Sequence, residues 1–484
     1  MAPAFSDRGF PEFMKEAKPL SFSTYLDGKR QDCRELVEAL GKHFQYVSIL
    51  GTDVTATVIR ADRNMSMVQD GRGECGFVLK MHNGHSFIEY SLDDISGDKQ
   101  ALADQIIRET AIDAELQSRM IEAPVPTDEP MKQDFSREND FADYDDASLL
   151  DTCKQLSADL ISKDDKVLNA FAIIQPYHVS KLFITKNREL SQDYGWANGI
   201  LMVIYNGEKM AQARFGDGAS SIKEILNILN GGLDQVIDLA RHLAKAKPIE
   251  PGVYDVITDP SISGLIAHEA FGHGVEMDQF VKDRAMAKHC MGQYVASPIT
   301  NMHDGAAATH SVASYFFDDD GVLAHDTQII KDGILVSGLS DLASAEQLGT
   351  APTGNGRRDS YKRKAYARMT NTFFEAGKDK LEDMIASIQH GYMLFETNNG
   401  MEDPKNWQIQ CTAEYGIEIV DGKLTENYVS PVVMSGSVPD LLKSISMVSD
   451  NFKVIGAGMC GKGYKEWVRV SDGGPNLKVR VKLG

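Results

Sequence analysis

Pro248 and Pro251, in Lys247-Pro-Ile-Glu-Pro-Gly252, stand near the middle of a 484-residue chain. Each lacks a backbone N–H and fixes φ, so neither a helix nor a sheet interior can run through the pair. They end the amphipathic pattern of Ile222 to Ala246, which reads as one long helix, and mark the best candidate for a domain boundary. The chain is about three times the ~150-residue domain prior, so two large domains or three ordinary ones are expected. The expected class is α+β. An N-terminal mixed α/β domain occupies 1–246, 247–252 is a linker, and 253–484 is a strand-rich domain.

In the first part, Thr24 to Leu50 is mostly helical in pattern, and Val54 to Ile59, Cys75 to Lys80, Lys181 to Thr185 and Gly199 to Tyr205 read as strands. Asn206-Gly207 is a two-residue hairpin signal. From Glu122 to Ser148 acidic residues outnumber basic ones, prolines stand at 124, 126 and 130, and large apolar residues are sparse, which predicts a mobile surface insertion. In the second part, Tyr254 to Thr258 reads as a strand and Ser261 to Val275 as a helix opened by Asp259-Pro260-Ser261. Short strands follow, separated by turns such as Asp332-Gly333 and Asp421-Gly422.

Several function classes are set aside by composition. A formal charge of −20 opposes binding to phosphate backbones, so nucleic acid is not expected as a partner. No window approaches the roughly 20 apolar residues needed to span a bilayer, so no membrane partner is expected either. Met1 to Leu20 lacks the apolar core of a secretory signal, and the six cysteines form no CxxC, so the expected compartment is cytoplasmic.

The chemistry concentrates in Ala267-His-Glu-Ala-Phe-Gly-His-Gly274. Two imidazoles flank a glutamate on a helix that is otherwise apolar at Leu265, Ile266, Phe271 and Val275, and buried polar groups need partners. A divalent metal satisfies both imidazoles, while Glu269 beside it can take a proton from water, as in HExxH peptidases. The spacing differs from HExxH. Positions i and i+4 lie about 40° apart around a regular helix, but His268 and His273, at i and i+5, lie about 140° apart. One residue accommodated as a π-bulge restores the register, and Gly272 makes the backbone pliable, so a distorted helix is predicted at Phe271 to His273. Two hydrogen-bonded structural histidines are the competing reading of the same pair.

A catalytic zinc takes three protein ligands. Near candidates for the third are Glu276 and Asp278; distant ones are Cys460, Cys411, His289, Cys290, His303, His310 and His325. Glu276 follows the motif closely and Cys460 sits in a glycine-rich turn, so these two lead. That turn, Gly456-Ala-Gly-Met-Cys-Gly461, is formally GxGxxG. A dinucleotide site there would need a helix, a further strand and an acidic residue about 20 positions on, for which the remaining sequence leaves no room. Thr353 to Tyr361 holds two glycines and two arginines, and Arg357, Arg358 and Tyr361 are placed near a cleft as candidate substrate-binding residues. A glycine-rich structural turn with solvated arginines competes with that reading.

These residues form a pattern. His268-Glu-Ala-Phe-Gly-His-Gly274 with Glu276, Thr353-Gly-Asn-Gly-Arg-Arg-Asp-Ser-Tyr361, Arg368-Met-Thr-Asn-Thr372, Ile445-Ser-Met-Val448 and Cys460-Gly-Lys462 resemble, in order, the TldD-like subunit of the TldD/PmbA metallopeptidases, once labelled modulators of DNA gyrase. The resemblance implies the two-domain fold of that family and a cytoplasmic peptidase with one Zn²⁺ per active subunit. Its ligands would be His268, His273 and Cys460, with Glu269 as general base. It also implies an unfolded peptide as substrate, bound as an added strand, and either a homodimer or a heterodimer with a TldE/PmbA-like subunit. Two neutral imidazoles and a thiolate would leave such a site a formal charge of +1, enough to acidify a bound water. After Cys460-Gly-Lys462 the chain continues Gly463-Tyr464-Lys465 instead of the acidic, glutamine-containing stretch of that family, so no substrate preference carries over.

Overall fold

The computed structural model describes residues 22–484; the reading of Met1 to Leu20 lies outside them. The first half is built on one eight-stranded sheet. Its main path runs Phe87–Leu92, Glu74–His82, Tyr46–Ala61, Val167–Thr185, Arg188–Asn206 and Met131–Ser136. Ser66–Asp70 pairs with Tyr46–Ala61, and Met210–Ala219 pairs with Arg188–Asn206. Most neighbours are antiparallel; Met131–Ser136 runs parallel to Arg188–Asn206.

Helices cover the sheet with apolar stripes at helical spacing. In Asp146–Lys163, Leu149, Cys153, Leu156 and Leu160 are buried, recurring at i, i+4, i+7 and i+11. Each such aliphatic side chain taken from water contributes about 1.5–3 kcal/mol. Asp145 starts this helix by accepting from the Ser148 N–H at 2.7 Å.

The first half corrects four expectations. Helix occupies only Thr24–Gly28 and Arg30–Leu40 of the segment read as helical, because the apolar run from Tyr46 is drawn into the centre of the sheet. The long helix is two, Ile222–Gly231 and Leu233–Leu243. They break where Phe215 presses on Gly232, whose Cβ would lie 2.1 Å from that ring. The hairpin at Asn206 closes by pairing Asn206 with Met210, one residue longer than a two-residue turn. The acidic segment is partly regular structure: Met131–Ser136 is a strand, and Asp140 accepts from the Ile222 and Lys223 N–H groups. Backbone pairing, which needs no large apolar side chain, holds what composition alone leaves loose.

In the second half a seven-stranded sheet runs His390–Asp403, Gly252–Thr258, Leu477–Leu483, Val432–Ser437, Gln408–Val420 and Lys423–Val429, with Met447–Val448 added beside Leu477–Leu483. Pairing of His390–Asp403 with Gln408–Val420 closes five of these strands into a ring. A six-stranded sheet runs Ile334–Leu335, Thr327–Lys331, Met302–Asp304, Asn371–Phe374, Glu466–Gly474 and Lys453–Lys462. The helix after Asp259 lies between the two sheets, and its Ile262, Ile266 and Phe271 join residues of both in one core. The Asp-Gly turns at 332–333 and 421–422 form as expected, with positive φ at both residues of each.

The two halves share a core. Phe135, Phe183 and Trp196 of the first pack with Tyr315, Phe316 and Phe317 of the second. A buried ion pair, Lys80 with Asp320, and a part-buried one, Lys181 with Asp319, cross the same junction. The glycines of Gly456 to Gly461 lie within a strand, not a turn, so no dinucleotide-binding helix follows them. A Cβ on Gly456 would meet the Gly218 carbonyl at 2.9 Å, so this glycine serves the close approach of the halves.

Candidate metal centre

The centre starts from a helix that changes register. Pro260 in the first turn and Asp259, whose Oδ1 accepts from the Ile262 N–H at 2.8 Å, open an α-helix over Pro260–Leu265. It continues as a π-helix over Ile266–Gly272 and a 3₁₀ turn over His273–Val275. The His273 N–H reaches the carbonyl of His268, an i to i−5 bond, and this brings both imidazoles to one side. Their ring centroids lie 5.1 Å apart at 87°. The wide register begins earlier than the predicted Phe271 to His273 and covers the seven residues Ile266–Gly272. Gly272 keeps an ordinary helical φ of −60°. Its missing side chain matters for packing, since a Cβ would sit 2.1 Å from Met369 Sδ.

Cys460 completes the group from the strand Lys453–Lys462. The ligand atoms of His268, His273 and Cys460 lie within 4.8 Å of one another, and no other such group occurs among the described residues. Cys460 Sγ is 3.6 Å from His273 Nε2. His273 Nδ1 donates to Glu276 at 3.1 Å, so when the ring is neutral its lone pair sits on Nε2, the nitrogen that faces Cys460. Glu276 is therefore the group that orients His273, and Lys462 holds Glu276 in turn at 2.9 Å. Lys462 Nζ also donates to Asp278 at 2.7 Å and to the Ala367 carbonyl. The fully buried Arg368 donates to the Cys460 carbonyl at 2.8 Å, so the Arg368 to Thr372 motif braces the ligand strand.

Electrostatics fit a cation at the centre. Burial drives the Cys460 thiol up, but His273 and His268 outweigh it and hold the thiol well below its usual range. Burial likewise disfavours charge on His268, yet the Cys460 thiolate and Glu269 carry its pKa up to about 9. Charge is retained in a buried place because each group supplies the counter-charge of the other, a task that a divalent ion performs for two neutral imidazoles and a thiolate together. Buried His268 Nδ1 has no hydrogen-bond partner. The donor set and its spacing fit zinc.

The other candidates lie elsewhere. Cys411 is buried in the strand Gln408–Val420 with its thiol pushed up by burial, then by Glu269 and Glu402. His303 is held between Asp326 and Glu375, and His289 is exposed beside Asp283. Asp278, Cys290, His310 and His325 do not join the cluster.

Glu269 is half-buried and lines a cavity of about 820 Å³ together with His268 and His273. Gly400 makes room for it, since a Cβ there would meet Glu269 Cγ at 2.5 Å. Further carboxylates line this cavity without any motif to announce them, among them Glu402 and Asp472. Glu402 accepts from the Gly274 N–H at 2.9 Å, and burial, opposed by His273 and that N–H but reinforced by Glu269 and Glu276, raises it to about 8. Burial raises Asp472 to about 6, with His268 opposing. The glycine after His273 was the available signal for Glu402: a Cβ on Gly274 would collide with Glu402 Oε1 at 2.6 Å.

Arg357, Arg358 and Tyr361 are not brought to this cavity. They line a second one between the two halves. Arg358 is buried in ion pairs with Glu89 and Asp319, Tyr361 bonds to Asp93, and Arg357 donates to the carbonyls of Met369 and Arg469.

Residues 251–482 match the family model described as the PmbA/TldA metallopeptidase C-terminal domain. A metalloprotease of Synechocystis sp. is 33% identical over 280 residues, covering 56% of this chain and 60% of that one. A zinc metalloprotease TldD homologue of Saccharolobus solfataricus is 29% identical over 314 residues, covering 62% and 68%. This chain spans 52% to 60% of the length of three metalloproteases it matches, that of Synechocystis sp. among them. In fold, the chain is similar to the crystal structure of TldE from Thermococcus kodakarensis, with a TM-score of 0.74 at 18% identity, over 94% of this chain and 100% of that one.

Proposed function

We propose that this chain, which matches the PmbA/TldA metallopeptidase C-terminal domain through residues 251–482, acts as a metallopeptidase of the TldD/PmbA kind and hydrolyses peptide bonds of unfolded polypeptides with a zinc ion held by His268, His273 and Cys460. The observation that carries this reading is the meeting of those three ligand atoms within 4.8 Å beside Glu269, in a cavity large enough for an extended peptide segment. Zinc bound there supplies Lewis acidity toward a scissile carbonyl and a water molecule.

The chain's own residues do the rest. Glu269 accepts the proton of the attacking water and returns it to the leaving amine, since an amine departs only when protonated. Glu276 fixes the tautomer of His273, and Lys462 fixes Glu276. The strand His390–Asp403 lines the cavity through Thr397 to Met401, which suits a substrate bound by main-chain hydrogen bonds.

In this reading the N-terminal part up to residue 246 and the part from 253 are the two domains, joined at 247–252. The protein acts in the cytoplasm as a homodimer or with a TldE/PmbA-like subunit. The fold shared with a TldE supports the pairing.

The test is a zinc-loaded Glu269→Gln protein, assayed on unfolded peptides alone and with a candidate partner subunit. It is expected to keep its zinc and to lose about 10²–10⁴ in turnover. Undiminished cleavage by the metal-loaded variant overturns the assignment of Glu269, and wild-type protein that binds no zinc overturns the metal site.

A further inference from the structure

The second cavity, of about 570 Å³, shares Met459 and Trp467 with the metal cavity. Alternation along one hairpin explains why they adjoin. Cys460 stands opposite Val468, and both enter the core. Met459 stands opposite Arg469, and Gly461 opposite Trp467, on the other face. The strand that gives the metal centre its thiol thus walls off the second cavity.

The charges in this cavity do not all find partners. Lys181 pairs with Asp319, Arg72 with Asp359, Lys362 with Asp93, and Arg358 with Glu89. Of the remaining lining carboxylates, Asp318 accepts the N–H groups of Gly356 and Val322, and Glu74 accepts that of Tyr361. Arg357 and Arg469 have no carboxylate partner among the described residues. Arg357 donates to the carbonyls of Met369 and Arg469, each at 2.6 Å. Arg469 donates to the Gly458 carbonyl at 3.3 Å, and its buried Nε donates to nothing. Burial brings the Arg469 guanidinium down to about 10, with Tyr177 opposing and Arg357 adding to the effect.

Aromatic planes hold both arginines. The Arg469 guanidinium lies 4.4 Å from the Trp196 ring centroid, and Trp196 stacks on Tyr177 at 4.0 Å and 10°. Arg357 lies 5.5 Å from the Tyr315 ring. A guanidinium stacked this way is pre-organised for bidentate contact with a planar carboxylate, and a buried charge without a counter-charge favours the arrival of one.

We propose that this cavity is a carboxylate-binding subsite, in which Arg469 on its Trp196–Tyr177 platform, with Arg357 beside it, holds an anionic end or acidic side chain of a peptide whose neighbouring segment occupies the metal cavity. The peptide identity of the ligand rests on the peptidase reading; the preference for a carboxylate rests on the two arginines alone.

The experiment uses one unstructured peptide in three forms: with a free C-terminus, with an amidated C-terminus, and amidated with its last residue replaced by Asp. Binding to zinc-loaded full-length Glu269→Gln protein is read by fluorescence anisotropy, and KM and kcat are read on the otherwise wild-type enzyme. One or both carboxylate peptides are expected to bind about tenfold or more tightly than the amide, the size of a charge-assisted contact. Which peptide gains tells the C-terminus from the side chain as the source. Arg469→Gln is expected to abolish the preference by raising KM for that peptide alone, while zinc content and turnover of the amide hold; Arg469→Lys keeps part of it. Trp196→Leu, which removes the platform and no charge, is read in the same way should the arginine variant not fold. Equal binding of all three peptides, or an undiminished preference in folded Arg469→Gln, overturns the subsite. A preference in binding that Arg469→Gln removes, with no peptide cleaved by wild type, defeats the peptidase reading and leaves the subsite standing.

Discussion

Cys460 Sγ lies 3.6 Å from His273 Nε2 across 187 positions of sequence, with His273 Nδ1 tied to Glu276 on the opposite edge of the ring. The imidazole is therefore fixed in orientation, and in its neutral form the acceptor nitrogen is the one toward Cys460. Glu276→Ala frees the ring and leaves Lys462 without one of its two carboxylates. It is expected to weaken zinc binding by about 10–100-fold, measured by competition with a chromogenic chelator. Cys460→Ala, which removes a ligand outright, is expected to lose more than Glu276→Ala in the same assay. Full zinc occupancy in the cysteine variant would remove Cys460 from the ligand set.

Gly272 answers a different constraint, contact with Met369. Gly272→Ala places a Cβ 2.1 Å from Met369 Sδ and 3.0 Å from the Ala267 carbonyl, so the π-helical turn or the methionine must move. Destabilisation of about 1–3 kcal/mol is expected, as for other overpacked cores. In a double-mutant cycle by chemical denaturation, adding Met369→Ala should recover part of that loss. Strict additivity of the two substitutions would dissociate Gly272 from Met369.

At the junction of the halves, Lys80 is buried against Asp320, whose other oxygen accepts from the Leu342 N–H at 3.0 Å. Asp318 close by is held well above the carboxylate range by burial and by Asp320. Lys80→Met strands a charge among carboxylates and is expected to cost about 3–5 kcal/mol. Lys80→Met with Asp320→Asn should be the more stable of the two variants, because no isolated charge is left inside. Thermal unfolding monitored by circular dichroism reads both.

Asp259 gives a pH dependence of defined sign. Burial first, then Glu396, raises it to about 7, against the bonds it accepts from the Ile262 and Glu396 N–H groups. In the unfolded chain a carboxyl releases its proton near pH ~4. Between those values the folded state binds more protons, so the stability this group contributes is fully present below about pH 4 and is lost as pH rises through about 7. Asp259→Asn is expected to remove that slope, on the order of 2–4 kcal/mol across the window. Losing one backbone contact shifts the whole curve without tilting it. Denaturant midpoints from pH 4 to 8 decide, and parallel curves for wild type and variant would exclude Asp259 as the source.

The sequence by itself determined the local features. His268, Glu269 and His273 on a helix, the need for a wider helical register, the Asp259-Pro260 start and the Asp-Gly turns all depend on residues a few positions apart, where backbone geometry is the dominant constraint. Resemblance, not spacing, singled out Cys460 over Glu276. Only the tertiary structure decided what depends on residues far apart in the chain. It assigned Glu276 to orienting His273, brought Glu402 and Asp472 to the cavity wall, turned the Gly456 to Gly461 stretch into a strand, and moved Arg357, Arg358 and Tyr361 to a second cavity. The reason is physical. A side chain's partners across a sheet are set by strand register and burial, and one sequence read alone carries the preference for a strand without naming the strand it pairs with.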